Sequence, residues 1–398
     1  MRHLFVTQDY APDLGGMARR HVELCRRFAP DEIIVSTVAS PQAQDFDRNE
    51  HYHISRQPFS FGQAKRFSNQ LAWGMDLART CRAGVDVMHL GNVRPCGYAV
   101  LLAARRASTP YLVYVNGGDL LRERQKSETR RLKRWSARLI FGGSLGVIAN
   151  SAWTADLARE VMAFVGVNNL PPVATIDLGT DPVQFSPDKD RRLLRCRLGI
   201  DEAPLLLTVA RLVPHKGQDI VIQALAKLSQ AQPDARYLIV GDGSDAPRLR
   251  ALASALGVGE RVILAGPLSD HDVAEAYATA DVYAGLSRVD NGINVEGFGI
   301  SFVEASASGT PCVAGDSGGV RSAVRDGETG FVVSPSDVDA VASAIGRLLS
   351  DGALRRRMGV VGRTAVETHY NWERVARETL AFAHDRMAHY RMAHYRPA

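Results

Sequence analysis

The 398-residue chain is long enough for two or three domains, at about 150 residues each, and so for more than one substantial core. Its apolar fraction of 45% and charged fraction of 23% lie near globular averages, which excludes a disordered, collagen-like or coiled-coil protein. The 48 basic and 43 acidic side chains leave a formal net charge of +5, far short of a histone or a nucleic-acid tail, so no nucleic-acid partner is expected.

The N-terminus and the cysteine pattern both bear on the cell compartment. The first apolar run ends at Gln8, which is too short for the core of a signal peptide, and no stretch nears the roughly 18 apolar residues of a membrane span. The five cysteines are odd in number and lack a C-x-x-C pair, so neither a disulfide framework nor a zinc knuckle is indicated. We therefore expect a soluble cytoplasmic protein.

Short apolar runs rich in β-branched residues alternate with helix-length amphipathic segments, which is typical of parallel sheets with crossover helices. The predicted strands of the first half are residues 4–7, 33–37, 85–89, 111–115 and 147–149. Those of the second half are residues 205–210, 237–240, 262–265, 282–284 and 311–314. Residues 168–189 carry four prolines and are predicted to link the two halves. The sequence thus predicts an α/β protein with two lobes.

A glycine pair follows the first predicted strand. Gly15 and Gly16 lie between that strand and a helix predicted to begin near Met17. Glycine brings backbone amides close to an anion at little steric cost. The pair is interpreted either as an anion-binding turn or as a tight turn without a ligand.

A strongly basic segment occupies residues 121–140, with eight basic and two acidic side chains. Its apolar residues recur at three- and four-residue steps, which predicts one helix with an apolar edge. A solvated helix face and a surface for anionic lipid are the two interpretations.

Two cations, Arg211 and Lys216, follow the first strand of the second half. In open α/β sheets ligands collect beyond the carboxyl ends of the strands, which is where both side chains would emerge. Arginine can grip a phosphate through two parallel N–H bonds and lysine adds a compact charge, so the pair suits a diphosphate. A solvated basic loop is the alternative.

The sharpest motif contains two carboxylates, Glu296 and Glu304, separated by seven residues with a glycine-bracketed turn between them. A helix predicted to begin near Ser301 would offer unpaired N–H groups to an anion such as a phosphate. In the alternative, Ser301 and Glu304 form a capping box in which Glu304 only bonds backbone N–H. The residues predicted to line the anion site beside the two glutamates are Gly297, Phe298, Gly299 and Ile300.

Other reaction classes find no support in the sequence. The G-x-G-x-x-A pattern at residues 241–246 lacks an acidic residue at the end of the next strand, which argues against a nicotinamide-dependent enzyme. No H-E-x-x-H or G-x-S-x-G motif is present, and the Asp-x-Asp pairs do not follow apolar strands. Neither a hydrolase nor a metal site is indicated.

Taken in order, the motifs resemble a known enzyme family. The glycine pair, ARLVPHKGQD from Ala210, VEGFGISFVEASASGTP from Val295 and SGGVRSAVRDGETGFVV from Ser317 are similar to the retaining GT-B glycosyltransferases of group 1. The resemblance covers nearly the whole chain and is strongest to the phosphatidylinositol mannoside mannosyltransferase branch. It implies two Rossmann-like lobes, doubly wound and facing across a cleft: an acceptor-side lobe at residues 1–183 and a nucleotide-sugar lobe at 184–370. A final helix at 371–398 would return to the first lobe.

The resemblance also implies roles for individual residues. Arg211 and Lys216 would hold the donor diphosphate and neutralise the leaving group, and Gly16 would meet the diphosphate from the opposite lobe. Glu304 would bind the ribose, and Glu296 the hydroxyls of the donor sugar. Because this family retains the anomeric configuration, attack is expected on the face that the diphosphate leaves, with a donor phosphate oxygen taking the proton and with no metal or other cofactor.

Position 116 departs from the family pattern. Much of the family has a histidine before a glycine after a strand of the first lobe, whereas this chain has Asn116 before Gly117. Asn116 can donate a hydrogen bond to the sugar and offer its carbonyl near the anomeric carbon, but it cannot take a proton at neutral pH. An ordinary turn is the alternative interpretation.

The leading hypothesis is a hexosyltransferase that uses a nucleotide-sugar donor, GDP-mannose above others, and a hydroxyl of a lipid-linked or small polar acceptor. The basic segment at residues 121–140 would contact an anionic membrane peripherally. A second hypothesis has a UDP-hexose donor and a soluble metabolite as acceptor. A third, suggested by Asn116, is a nucleotide-sugar-binding protein without transfer activity.

Overall fold

The computed structural model describes residues 1–12, 15–189, 191–200 and 202–394, and its contacts divide the chain into two compact units. Unit 1 comprises residues 1–177 and the segment from Trp372 onward, and unit 2 comprises Leu178–Asn371. The sequence-based boundaries fell after residues 183 and 370, and the last four residues of the predicted final helix lie outside the described residues.

Each unit has one parallel sheet. The strands of unit 1 are β1 (His3–Val6), β2 (Ile33–Ala39), β3 (His53–Ser60), β4 (Val87–Leu90), β5 (Tyr111–Val115), β6 (Gly146–Ala149) and β7 (Val173–Thr175). Those of unit 2 are β8 (Leu205–Val209), β9 (Arg236–Val240), β10 (Val262–Gly266), β11 (Val282–Gly285), β12 (Cys312–Gly315) and β13 (Gly330–Val333). The strand orders are β3-β2-β1-β4-β5-β6-β7 and β10-β9-β8-β11-β12-β13, so both sheets are doubly wound.

Helices connect the strands. In the N-terminal half they are α1 (Gly16–Cys25), α2 (Ala43–Asn49), α3 (Phe67–Arg82), α4 (Gly97–Ala107), α5 (Gly118–Thr129), α6 (Arg131–Gly142) and α7 (Ala152–Val165). The rest are α8 (Arg191–Leu198), α9 (Gln218–Lys227), α10 (Ala246–Ala255), α11 (Asp270–Thr279), α12 (Ile300–Ala307), α13 (Val338–Ser350), α14 (Gly352–Thr368) and α15 (Trp372–His394). No described helix is both long and apolar enough to cross a membrane.

The predicted fold class is confirmed, and every predicted strand is present with ends that differ by at most two residues. The prediction missed β3, β7 and β13, each of which lies at the edge of its sheet. An edge strand has one free side, so it needs fewer apolar residues and tolerates proline. The predicted linker at residues 168–189 is wrong in its first part, because it contains β7.

The basic segment at residues 121–140 forms two helices, so the prediction of one helix is wrong. Arg130 has extended backbone angles between α5 and α6. Arg94 holds this corner: its Nε lies 2.6 Å from a carboxylate oxygen of Glu123 on α5, and its Nη2 donates to the carbonyl of Lys133 on α6 at 2.8 Å. Glu123 is therefore a buried ion-pair partner rather than part of a solvated face.

The final helix, α15, packs within unit 1. It begins with the fully buried Trp372, and Glu373 accepts a hydrogen bond at 2.8 Å from Arg27, two residues beyond the end of α1. Near its other end Arg391 donates to Asp86, just before β4, at 2.9 Å. These contacts tie both ends of the helix to elements that precede residue 100.

The sheet orders predict where ligands would bind. The chain leaves β1 toward β2 and later returns to place β4 on the other side of β1, and β8 lies between β9 and β11 in the same way. In doubly wound sheets ligands bind beyond the carboxyl ends of the strands at this change of direction. The relevant loops follow β1, β4 and β5 in unit 1, and β8 and β11 in unit 2.

Candidate functional site

In unit 2 the loops that follow β8 and β11 are joined through their backbones. The backbone N–H of Arg288 donates to the carbonyl of His215 at 2.9 Å. Gly217 has φ +74°, and a side chain there would overlap the carbonyl of Leu286, so only glycine permits this approach. The Arg288 guanidinium also grips Asp219, at the start of α9, through two bonds of 3.0 Å.

The central contact of this region is an ion pair between Lys216 and Glu296. The Lys216 Nζ donates to the Glu296 Oε2 at 2.7 Å, and the hydroxyl of Ser287 lies 3.4 Å from the same oxygen. The two side chains are only 22% and 18% exposed, so the pair is partly shielded from water. The structure thus brings together two residues that are 80 positions apart in the sequence.

Arg211 adds a second positive charge to this loop. Its side chain is exposed and has no hydrogen-bond or ion-pair partner among the described residues. The pKa of His215 is lowered from its ordinary value, chiefly by burial and then by the charges of Lys216 and Arg211. Both cations therefore act on one imidazole, and their excess positive charge is suited to a polyanion.

The N-terminus of α12 lies beside Glu296. Gly299 is the N-cap residue with φ +96°, and the Glu296 Cγ lies 3.5 Å from where a Cβ on Gly299 would stand. No side chain caps this helix, which begins at Ile300, one residue before the predicted start. Gly297 and Phe298 are buried behind it. The first amides of a helix carry partial positive charge, so this end also favours an anion.

Glu304 is buried on α12, and the capping-box interpretation is wrong because the N-cap residue is Gly299. The hydroxyl of Tyr277, on α11, donates to the Glu304 Oε2 at 2.7 Å. The nearby Tyr283 is fully buried, and burial raises the pKa of its hydroxyl, with smaller contributions from the charges of Glu304 and Glu296. The charges of both predicted carboxylates therefore act on the same tyrosine.

A second glycine pair, Gly318 and Gly319, packs against the backbone of Glu296. The backbone N–H of Gly319 donates to the Glu296 carbonyl at 2.8 Å. Gly318 has φ +59°, and a Cβ there would lie 2.6 Å from the Cγ2 of Val295 and would also overlap the Glu296 carbonyl oxygen. The turn at these two glycines therefore positions a predicted site residue.

In unit 1 the predicted glycine pair opens α1. Gly15 is its N-cap residue with φ +149°, a conformation that glycine favours, and Gly16 is the first residue of the helix. Both are exposed, so the first amides of α1 are accessible. Asp13 and Leu14, which precede the pair, lie outside the described residues.

Asn116 follows β5 and is held by two neighbours. Its Oδ1 accepts a hydrogen bond from Arg20 on α1 at 2.8 Å, and its backbone N–H donates to the Asp119 Oδ1 at 3.0 Å. The guanidinium carbon of Arg20 lies 4.9 Å from the centre of the Tyr114 ring. Sequence reasoning missed Arg20, because its partner is 96 positions away and no local pattern marks it.

Among the described residues, one group has metal-ligand chemistry: His271, Asp272 and Glu275 on α11, whose ligand atoms lie within 4.8 Å of one another. Arg197 already places its guanidinium 2.6 Å from Asp272 and 3.9 Å from Glu275. A cation at this position would compete with that side chain, and none of the predicted site residues belongs to the group.

Comparison with known proteins identifies the family of this chain. The family model "Glycosyl transferases group 1" matches residues 190–365, and "Glycosyltransferase Family 4" matches residues 14–168. The first match contains all the site residues of unit 2, and the second contains Gly15, Gly16, Arg20 and Asn116.

Individual relatives are similar over much of the chain. It is 30% identical over 377 residues to the GDP-mannose-dependent monoacylated alpha-(1-6)-phosphatidylinositol monomannoside mannosyltransferase of Corynebacterium glutamicum, covering 93% of this chain and 94% of that one. It is 41% identical over 208 residues to a GDP-mannose-dependent alpha-(1-6)-phosphatidylinositol monomannoside mannosyltransferase of Mycolicibacterium smegmatis, covering 52% and 53%. The crystal structure of Anabaena HepE with UDP-glucose matches with a TM-score of 0.78, 22% identity and coverage of 97% and 100%, which supports the fold.

Proposed function

Because this chain belongs to the group 1 glycosyltransferases, we propose that it transfers mannose from GDP-mannose to a hydroxyl of a lipid-linked or small polar acceptor, with retention of configuration and without a metal ion. The chain is a hexosyltransferase by family. The choice of mannose and GDP is supported by the name of the Corynebacterium relative, which aligns along nearly its whole length.

One observation carries the proposal: the 2.7 Å contact between Lys216 and Glu296 beside the uncapped N-terminus of α12. Departure of a nucleoside diphosphate leaves negative charge on the phosphate oxygens while the anomeric carbon becomes positive. Fixed cations and helix amides stabilise that developing charge without reorganising during the reaction. In this proposal Lys216 and Arg211 supply the cations.

The two glutamates would act as hydrogen-bond acceptors for the donor. Glu296, which stands at the surface of the loop beside α12, would receive hydroxyls of the sugar. Glu304, one turn further into α12, would receive hydroxyls of the ribose, and its bond from Tyr277 would hold its carboxylate in place. The ion pair with Lys216 would orient the carboxylate of Glu296, whose oxygens would accept hydrogen bonds from the donor.

The proposed chemistry needs no protein base. A donor phosphate oxygen on the departing face would take the proton of the attacking hydroxyl, which leaves the configuration of the sugar unchanged. Asn116, which has no acid–base chemistry at neutral pH, is consistent with this route because it would act only through hydrogen bonds.

Calorimetry with GDP and UDP tests the donor assignment. We expect GDP to bind more tightly, and Lys216→Met to weaken binding by roughly tenfold or more because one charge-assisted contact is lost. Lys227→Met is the matched control, since Lys227 makes an equally short 2.6 Å pair with Asp339 on the surface of the same unit. Tighter binding of UDP would favour the UDP-hexose hypothesis, and equal effects of the two lysine variants would remove Lys216 from the site.

We also propose peripheral contact with an anionic membrane through α6. Leu132 is 80% exposed and Trp135 is 60% exposed, and basic residues flank both along the sequence of α6. Exposed apolar side chains next to positive charge are typical of helices that lie at an anionic bilayer surface. The buried Arg94–Glu123 pair would keep this helix corner rigid.

Flotation with vesicles that contain anionic lipid tests the contact. We expect binding at low salt that weakens at high salt, and loss of binding in Leu132→Glu. Leu256→Glu is the control, because Leu256 is an exposed leucine of unit 2 at 40%. Absence of binding at low salt, or equal loss in both variants, would contradict the proposal.

A further inference from the structure

Among the described residues, Arg20 is a buried cation without a carboxylate partner. The residue is 1% exposed and forms no ion pair within 4.0 Å among the described residues. Burial lowers its pKa to about 10, although the negative charge of Asp119 raises it slightly, so it remains protonated at neutral pH. A buried charge costs free energy unless neighbouring groups compensate it. The groups that surround the Arg20 guanidinium must therefore stabilise its charge.

The neighbours of Arg20 are an aromatic face and an amide oxygen. The Tyr114 ring lies 4.9 Å from the guanidinium carbon, and the Tyr114 hydroxyl bonds the Nδ1 of the buried His89 at 2.8 Å. His89 in turn contacts the Nδ1 of His3 through its Nε2 at 2.8 Å. This hydrogen-bonded chain fixes the ring and therefore the plane on which the guanidinium rests.

The contact with Arg20 determines how the Asn116 amide is oriented. A guanidinium has only donors, so the amide atom that faces it at 2.8 Å must be the oxygen. The backbone N–H of Asn116 donates to the Asp119 Oδ1, which fixes the backbone that carries this side chain. The amide N–H₂ then points away from Arg20; its nitrogen is buried and has no hydrogen-bond partner among the described residues.

We propose that Arg20 is a positioning residue that holds Asn116 with its amide N–H₂ ready to donate to a substrate oxygen. The inference rests on the proposed function, since it assumes that Asn116 faces substrate. Without Arg20 the amide is free to rotate, and either its oxygen or its nitrogen would face the substrate. With Arg20 in place, the bond from its guanidinium to the Asn116 Oδ1 is kept only when the amide N–H₂ faces the substrate.

Asn116→Asp separates this role from a merely structural one. The carboxylate of aspartate still accepts from Arg20, and the contact gains an ionic component, so stability should be maintained or increased. An ionised carboxylate has no N–H or O–H, so the donor to substrate is lost. We expect this variant to have an unchanged or higher melting temperature and a kcat for GDP-mannose hydrolysis that is lower by about tenfold or more.

Substitutions of Arg20 test the link itself. Arg20→Met keeps the approximate length of the side chain and removes the buried charge, and its melting temperature shows whether the variant still folds. We expect a loss of kcat with little change in KM, partial recovery in Arg20→Lys, and no further loss when Arg20→Met is combined with Asn116→Ala. Arg48→Met, at an exposed arginine of α2, is the control.

The readout is release of GDP from GDP-mannose with water as the acceptor: the bond between the anomeric carbon and the phosphate oxygen breaks, and water supplies the hydroxyl of the free sugar. Wild-type kcat in Asn116→Asp, or additive losses in the double variant, would overturn the role of Arg20 and leave the proposed function intact. Absence of turnover by the wild-type protein would overturn the proposed function and this inference with it.

Discussion

The glycine that joins the two loops of unit 2 allows a controlled test of the site's architecture. Gly217 has φ +74° and Gly257 has φ +69°, so alanine at either position has nearly the same backbone strain. They differ in what surrounds them. A Cβ on Gly217 would stand 2.6 Å from the carbonyl carbon of Leu286 and nearer still to its oxygen, whereas nothing lies within 4 Å of a Cβ on Gly257.

The expected losses of unfolding free energy in the two alanine variants follow from this difference in surroundings. The left-handed conformation costs a non-glycine residue about 1–2 kcal/mol, and the lower entropy of the unfolded alanine chain returns about 0.4–1 kcal/mol. Gly257→Ala should therefore lower the free energy of unfolding by about 1 kcal/mol. The Gly217 variant must also relieve backbone overlap, which costs about 1–3 kcal/mol more. At about 2–4 °C per kcal/mol for a unit of this size, the two melting temperatures should differ by several degrees.

Differential scanning calorimetry measures the melting temperatures of the two variants, and calorimetric titration measures their affinities for GDP. Because Gly217 adjoins Lys216, the Gly217→Ala variant should also bind GDP more weakly, while Gly257→Ala should bind it as the wild-type protein does. Equal losses of stability, or normal GDP binding by the Gly217 variant, would show that the two loops are not held together by the close approach to Leu286.

Three further outcomes are expected. Arg211→Ala should lower transfer by about two orders of magnitude in steady-state kinetics, as loss of a group that stabilises the leaving charge costs about 3 kcal/mol; unchanged turnover would exclude Arg211. Burial lowers the pKa of His3 to about 4 and of His21 to about 3, so the unfolded chain takes up protons first as the pH falls below about 6.5. Denaturant titrations should then show unit 1 losing about 1.4 kcal/mol per pH unit for each histidine between roughly pH 6 and pH 4, and a flat profile would contradict their burial in neutral form. Tyr277→Phe removes the donor to Glu304 and should raise KM for the nucleotide sugar more than it lowers kcat; an effect on kcat alone would contradict the ribose assignment.

The part of the site that could be predicted from the sequence is the part that sits in loops directly after apolar strands. Arg211 and Lys216 follow β8, and Glu296 lies between β11 and α12, so strand detection and charge were sufficient to place them at one edge of a sheet. The edge strands β3, β7 and β13 escaped detection because only one of their sides is paired, and a weaker apolar pattern suffices there.

Contacts made over long sequence distances could not be predicted. Arg20 lies in a helical run of basic residues, and such a pattern normally indicates a solvated face, yet its partner Asn116 turns it inward. Glu123 is misleading in the same way, because its buried position depends on Arg94. In each case the sequence shows that the residue is charged, whereas its burial depends on a partner in another element of the fold.

The two units use arginine and lysine differently, and this contrast bears on the chemistry. Unit 2 leaves the charge of Arg211 exposed and that of Lys216 partly exposed, as a site for a polyanion requires. Unit 1 buries Arg20 against an aromatic ring and an amide oxygen. The residue directly after β5, which belongs to this arrangement, is the neutral Asn116 rather than a cation. In the proposed reaction a leaving diphosphate would need fixed positive charge, whereas a sugar hydroxyl would need a donor of fixed direction, because extra positive charge beside the anomeric carbon would oppose its growing positive character. In the proposal Arg20 would orient the donor through its bond to the Asn116 Oδ1 without itself contacting the sugar.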